Sequence, residues 1–276
     1  MATLRRESDG ARWPVPGHCL VGRSPAATVR LNDGRVSHEH ARITFTEGTW
    51  RIQDEGSRNG THLEGRRLAP AEAVPLALGA RIVFGRRDVV FLVEDLAPPT
   101  PMATELDSGD LVVAVDGVLV LPDEVDARIC LFATLDGHLA EVDGEVRPVL
   151  NGRLLELGTR AWRLHLPEPP AFHPLDTLQL TVGGSAELVT VTITTPAGRF
   201  DLPPRGHHAL LRTLVEARLG RPTEGWIAEA ALGARLALDL IAIRRELCGL
   251  GISGAVIERH RREVRLALAP AHVTFR

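Results

Sequence analysis

"GRSPAATVRLNDGRVSHEHARITF" runs from Gly22 to Phe45, and "DEGSRNGT" runs from Asp54 to Thr61. Both place Arg, Ser, Asn and Gly where strands should end. Around them, "HCLVGR", "ATVRL", "HARITF", "TWRIQD" and "ARIVFG…DVVFLVED" are short apolar-rich runs divided by turn signals, which predicts an all-β segment. Glu47-Gly48, between "RITF" and "TWRI", reads as a hairpin turn. The loops carry an inventory with a chemical sense. A phosphothreonine brings about −1.5 to −2 charges and three strong acceptor oxygens. An arginine fork takes two of those oxygens, a serine hydroxyl a third, and an asparagine amide holds the neighbouring peptide backbone. Such groups belong on loops at one end of a rigid scaffold. Gly22-Arg23-Ser24, Ser37 to His40 and Ser57 to Thr61 supply them.

The spacing Gly22-Arg23, then Ser37-x-x-His40-Ala41, then Asp54-x-x-Ser57-x-Asn59-Gly60-Thr61 resembles the forkhead-associated (FHA) domain, across roughly residues 11–96. That resemblance implies an eleven-stranded β-sandwich that reads phosphothreonine in extended peptides. By motif position it implies Arg23 and Ser37 as phosphate ligands and Asn59 as the clamp on the peptide main chain. Arg58 then stands where the family often contacts the phosphothreonine itself. Arg35 stands where some members select the residue three after it, and an arginine there suits an acidic residue. His38, where the family more often has Arg or Asn, completes the peptide-binding set. Gly22, His40 and Gly60 become structural supports, His40 bracing the loop through its ring nitrogens.

The rest of the chain is less explicit. "APPTPMATELDSGD" (97–110) predicts a linker over 97–108, and "LPEPPAFHP" (166–174) predicts a second boundary. The domains expected are therefore 1–96, an acidic β-rich module at 109–170, and 171–276. The middle module has Asp116-Gly117, Asp136-Gly137, Asp143-Gly144 and Asn151-Gly152 at hairpin positions. Its "LLELGTRAWRLHLPE" echoes "PLALGARIVFGRRDVVFLVED", which raises an internal duplication. In 171–276, paired strands precede three predicted helices: "HHALLRTLVEARL", "GWIAEAALGARL" and "LDLIAIRRELCGLGI". A hairpin, "VIERHRREVRLAL", closes the chain. This order resembles the winged-helix output domain of OmpR-type regulators, so the fold class is multidomain and mainly β with a C-terminal α+β winged helix. The resemblance implies duplex DNA as a partner. Arg244 and Arg245 on the last helix, and Arg259, Arg261 and Arg262 in the wing, are the candidates to touch it. In the last helix Leu238, Ile241, Ile243 and Leu247 are expected in the core, with Asp239 and Glu246 facing outward. Those two acids would repel phosphate.

Composition narrows the alternatives. All 32 basic residues are arginine, and residues 101–170 hold 5 Arg against 13 acids. The net charge of −3 is unlike that of a strongly basic nucleic-acid binder. No apolar run approaches a membrane span, no secretory leader is read, and Cys19, Cys130 and Cys248 lack CxxC spacing, which suits a reducing cytoplasm. No Walker loop, GxSxG elbow or HExxH helix occurs, so neither catalysis nor a cofactor is expected. "SHEH" has no third metal ligand at suitable spacing, and His207-His208 read as surface or packing residues. The expectation is a cytoplasmic bacterial signalling protein that binds a phosphothreonine written by a Ser/Thr kinase and passes that input to a DNA-binding output. The alternative is a phospho-dependent adaptor that never touches DNA. Thr100 or Thr104 would be a phosphate acceptor in cis.

Overall fold

Short strands separated by positive-φ turns set the architecture. The computed structural model describes residues 1–85, 89–185, 188–220 and 224–276. They divide into two units, residues 1–102 with 164–167 and residues 103–163 with 168–276.

The first unit contains β1 (Ala2–Arg6), β2 (Arg12–Val15), β3 (His18–Gly22), β4 (Val29–Arg30), β5 (Ala41–Thr46), β6 (Thr49–Asp54), β7 (Thr61–Leu63), β8 (Arg66–Arg67), β9 (Val74–Pro75), β10 (Arg81–Phe84) and β11 (Val90–Leu96). They form two sheets, ordered β2-β1-β11-β10-β7-β8 and β4-β3-β5-β6-β9. Glu47 and Gly48 both take positive φ, the twist that a two-residue hairpin needs. Alternate residues Ile43, Trp50, Ile52, Ile82, Phe84 and Phe91 build one core. Each such side chain contributes about 1.5–3 kcal/mol on burial. Register then decides where the loops emerge. Val21 lies opposite Ala41 and Ala41 opposite Asp54, so the loops after β3, before β5 and after β6 leave from the same end of one sheet.

The second unit opens with β12 (Met102–Glu105), β13 (Leu111–Val113), β14 (Val118–Leu121), β15 (Ile129–Thr134), β16 (Gly137–Val142), β17 (Glu145–Val149), β18 (Leu154–Leu157) and β19 (Arg160–His165). The segment expected as a linker therefore ends in a strand, which takes in Thr104. The sheet orders are β13-β12-β19-β18 and β14-β15-β16-β17. They reproduce β2-β1-β11-β10 and β3-β5-β6-β9 of the first unit. The match extends to single hydrogen bonds: Gly10 N–H donates to Arg6 O at 2.9 Å, and Gly109 N–H to Glu105 O at 3.0 Å. Ala80 N–H donates to Ala77 O at 3.1 Å, and Arg153 N–H to Leu150 O at 3.2 Å. Gly79 and Gly152 have φ of 78° and 79°. This register sets "PVLNGRLLELG" (148–158) on "PLALGARIVFG" (75–85), so the repeat begins earlier than the "LLELG" echo suggests.

Two things changed in the second copy. The chain that joins β3 to β5 is residues 23–40, whereas the matching connection from β14 to β15 is only residues 122–128. The outward face is also buried: Arg42, Thr44 and Gln53, all at least partly exposed, correspond to Cys130, Phe132 and Glu141, all buried. What covers that face is the remainder of the unit: β20 (Gln179–Gly184), β21 (Val189–Thr195), β22 (Gly198–Leu202), α1 (His208–Gly220), β23 (Ile227–Ala228), α2 (Leu236–Gly249), β24 (Ile257–His260), β25 (Glu263–Leu266) and β26 (Val273–Phe275). Val118, Val120, Cys130 and Phe132 share a cluster with Ile241 of α2. Residues 103–163 and 168–276 are thus one compact unit, and the Pro cluster at 166–174 does not separate them into two.

Among the described residues, two α-helices stand where three were predicted. "GWIAEAALGARL" forms β23 and a 3-10 turn, Glu229–Ala231. Gly225 and Gly233 both take positive φ, which leaves too short a run for a stable helix, and Ile227 pairs with Val264 instead. Leu238, expected in the core, is exposed, because α2 turns Leu236, Leu240, Ile243, Arg244 and Leu247 inward. Among the described residues, no helix is long and apolar enough to cross a membrane.

Candidate functional site

A buried carboxylate shapes the loop that follows β6. Asp54 Oδ2 accepts from Ser57 Oγ at 2.7 Å, from Thr61 Oγ1 at 2.7 Å and from Thr61 N–H at 2.9 Å. Its Oδ1 accepts from Ser57 N–H at 2.9 Å. Burial raises the carboxyl pKa, but these four bonds outweigh it and hold Asp54 below its usual value. Asp54 was read only as a motif position; its alternation onto the buried face of β6 was the available signal.

His40 is wholly buried between two loops. Ser37 N–H donates to Nδ1 at 3.0 Å, so the ring proton sits on Nε2, which faces Gly60 O at 3.3 Å. Burial keeps this imidazole neutral by lowering its pKa. Gly22 is required for a different reason: a Cβ there would lie 2.0 Å from His38 O. Gly60 takes φ of 81°, the left-handed region.

On that base the predicted peptide ligands come together. Arg23 N–H donates to Ser37 O at 2.9 Å, and Arg58 N–H to Ser37 Oγ at 3.1 Å. Asn59 Nδ2 donates to Arg35 O at 2.7 Å, which joins the third loop to the second. Arg23, Arg35, His38, Arg58 and Asn59 are exposed and Ser37 is half-buried. Among the described residues, no ion pair engages Arg23, Arg35 or Arg58. Three permanent cations and a serine hydroxyl thus gather on these loops, beside Asp33, whose Oδ1 accepts from Arg35 N–H at 2.8 Å, and the exposed Glu39.

Three of the five DNA candidates do not share that exposure. Arg244 is 0% exposed. Its guanidinium lies 2.7 Å from Glu141 Oε2, and its Cζ stands 4.2 Å from the Phe132 ring centroid. Arg259 pairs with Glu141 and with Glu229. Arg245 donates to Glu124 at 2.7 Å. Burial alone would raise the Glu141 pKa, but Arg244 and Arg259 hold it below its ordinary value. The expected DNA contacts of Arg244, Arg245 and Arg259 are therefore corrected: all three bind carboxylates of the chain itself. Arg261 and Arg262 remain exposed at the tip of the β24–β25 hairpin, both at positive φ. Glu246, expected outward, instead meets His207 and His208.

Residues 19–85 match the family model for the FHA domain. Over 63 residues the chain is 36% identical to the FHA domain-containing protein FhaB of Mycobacterium tuberculosis, which is 23% of this chain and 41% of that one. It is 35% identical over 93 residues to the oxoglutarate dehydrogenase inhibitor of Corynebacterium glutamicum, 33% of this chain and 63% of the relative. Among solved structures, Mycobacterium tuberculosis EmbR in complex with a low-affinity phosphopeptide is 29% identical, covering 33% of this chain and 23% of that chain, with a TM-score of 0.31. The chain thus spans under two thirds of the length of these curated relatives. The chain carries an FHA domain over residues 19–85.

Proposed function

We propose that the first unit binds phosphothreonine peptides and that the protein is a phospho-dependent signalling adaptor rather than an enzyme. One observation carries the reading: the Asn59–Arg35, Arg58–Ser37 and Arg23–Ser37 hydrogen bonds draw three loops together, and among the described residues none of these three arginines is in an ion pair. Arg23 and Ser37 hold the phosphate, Arg58 supports it, and Asn59 and His38 hold the peptide main chain. Arg35 favours an acidic residue three positions on. A Ser/Thr kinase of the bacterial cytoplasm supplies the modification.

The test is a fluorescence-anisotropy titration of the full chain with matched Thr, phosphothreonine and phosphoserine peptides. Selective binding of the phosphothreonine peptide, lost in Arg23→Ala, is expected. Equal weak binding of all three would make the sandwich a scaffold.

For the second unit, burial of Arg244 and pairing of Arg245 and Arg259 support docking to protein over a transcriptional output. The DNA reading keeps one observation in its favour, the exposed Arg261-Arg262 tip. A winged helix that reads duplex DNA would lose salt-dependent binding in the Arg261→Ala, Arg262→Ala variant. An adaptor shows no duplex binding even at low salt.

A further inference from the structure

Three ligand atoms converge where α1 begins, and the sequence kept them apart. His207 and His208 lie at the start of that helix and Glu246 lies on α2. Glu246 Oε2 is 2.9 Å from His207 Nε2 and 2.8 Å from His208 Nε2, and all three atoms lie within 4.8 Å of one another. The other oxygen of the carboxylate, Oε1, stands 3.0 Å from Arg205 Nε, which fixes the group with Oε2 toward the two rings. The ring centroids of His207 and His208 are 4.7 Å apart in an edge-to-face arrangement. Side-chain exposure is 14% for His207, 0% for His208 and 20% for Glu246, so the cluster is sheltered but not sealed.

Both imidazoles converge on one carboxylate oxygen, so three ligand atoms already share one small volume. His208 Nδ1, on the far side of its ring, is buried with no hydrogen-bond partner among the described residues. A divalent ion would replace two N–H···O contacts with two metal–nitrogen bonds and one metal–oxygen bond. Tetrahedral bonds of about 2.0–2.1 Å set ligand atoms roughly 3.4 Å apart, so the carboxylate withdraws by about half an ångström and the two ring nitrogens settle to the same spacing.

We propose that His207 Nε2, His208 Nε2 and Glu246 Oε2 form a three-ligand site for a divalent transition-metal ion of the zinc class, its fourth position open to water. Two imidazoles and one carboxylate select such an ion over the oxygen-seeking magnesium and calcium. Binding moves each imidazole proton from Nε2 to Nδ1, where His207 can meet solvent and His208 finds no acceptor. That missing outer partner lowers affinity by about 10- to 100-fold relative to a site whose two rings are both anchored. A bound ion also ties the start of α1 to α2, which is itself packed on the second sandwich copy.

The test uses the full chain stripped with a chelator and titrated with Zn²⁺ by calorimetry and with Co²⁺ by visible absorption. One equivalent of each is expected, with the intense visible bands of tetrahedral cobalt. Glu246→Gln and His207→Gln should each weaken binding at least about tenfold. His18→Gln, an exposed histidine in the other unit, should leave it unchanged. His207→Gln alone decides the matter if Glu246→Gln fails to fold, because His207 lies outside the helix. Absence of binding at sub-millimolar Zn²⁺, or undiminished binding in His207→Gln, overturns the proposal.

Discussion

Replacing Glu141 with alanine strands a fully buried arginine. Arg244 is 0% exposed, its Nη1 lies 2.7 Å from Glu141 Oε2, and no other carboxylate pairs with it among the described residues. Arg259 loses the same partner but keeps Glu229. Removing one member of a buried pair typically costs about 3–5 kcal/mol, mostly the penalty for the charge left behind. The cost should appear as faster amide exchange in α2, by about two to four orders of magnitude at one decade per 1.36 kcal/mol. Exchange in β5 and β6 of the first unit should not change. The double variant Glu141→Leu, Arg244→Met removes both charges while keeping apolar volume against Phe132 and Ile241, and should recover most of the loss. A single-variant effect below about 1 kcal/mol would refute the reasoning, since that is the range of a solvated pair. So would a double variant less stable than the single.

Three further outcomes follow from the same geometry. Gly22→Ala places a Cβ 2.0 Å from the His38 carbonyl, so the loop must shift; thermal unfolding should register a loss of about 1–3 kcal/mol, and phosphopeptide affinity should fall with it. His40 has a folded pKa below its usual 6.5, so the unfolded chain takes up the proton first; its contribution is fully present above pH ~6.5 and is lost as pH falls toward the folded value. Denaturant titration of the first unit across that window should show the loss, and a flat profile would contradict it. Burial pushes the Cys19 thiol up to about 12 and that of Cys248 to about 11. Neither should react with a thiol reagent at neutral pH until the chain is unfolded, and rapid native labelling would refute this.

The FHA sandwich was readable because its information is local. Gly22, Asn59-Gly60 and the Glu47-Gly48 hairpin are turn chemistry, and turn chemistry acts within a few residues. The candidate set Arg23, Ser37, Arg58 and Asn59 could be named for the same reason, since each loop carries its own short signature. Asp54 was harder to see: its role is to gather hydrogen bonds inside the fold, and a single aspartate at a strand end says nothing of that. The echo of the first module in the second was audible at "LELG", but its register needed the strand pairing, because apolar alternation repeats every two residues.

By itself, then, the sequence determined where the strands turn, which loops carry cations and hydroxyls, and that the first module is a phosphopeptide type of sandwich. Only the tertiary structure decided the fate of the outward faces. Arg42 and Cys130 occupy matching places in two like hairpins, yet one meets solvent and the other meets α2. Arg244 and Arg261 are the same residue type a few turns apart, yet one is buried against Glu141 and the other projects from a hairpin tip. Periodicity reports which side of an element is apolar, but burial of a charge depends on a partner more than a hundred residues away. His207, His208 and Glu246 meet for that same reason, and no spacing rule connects them.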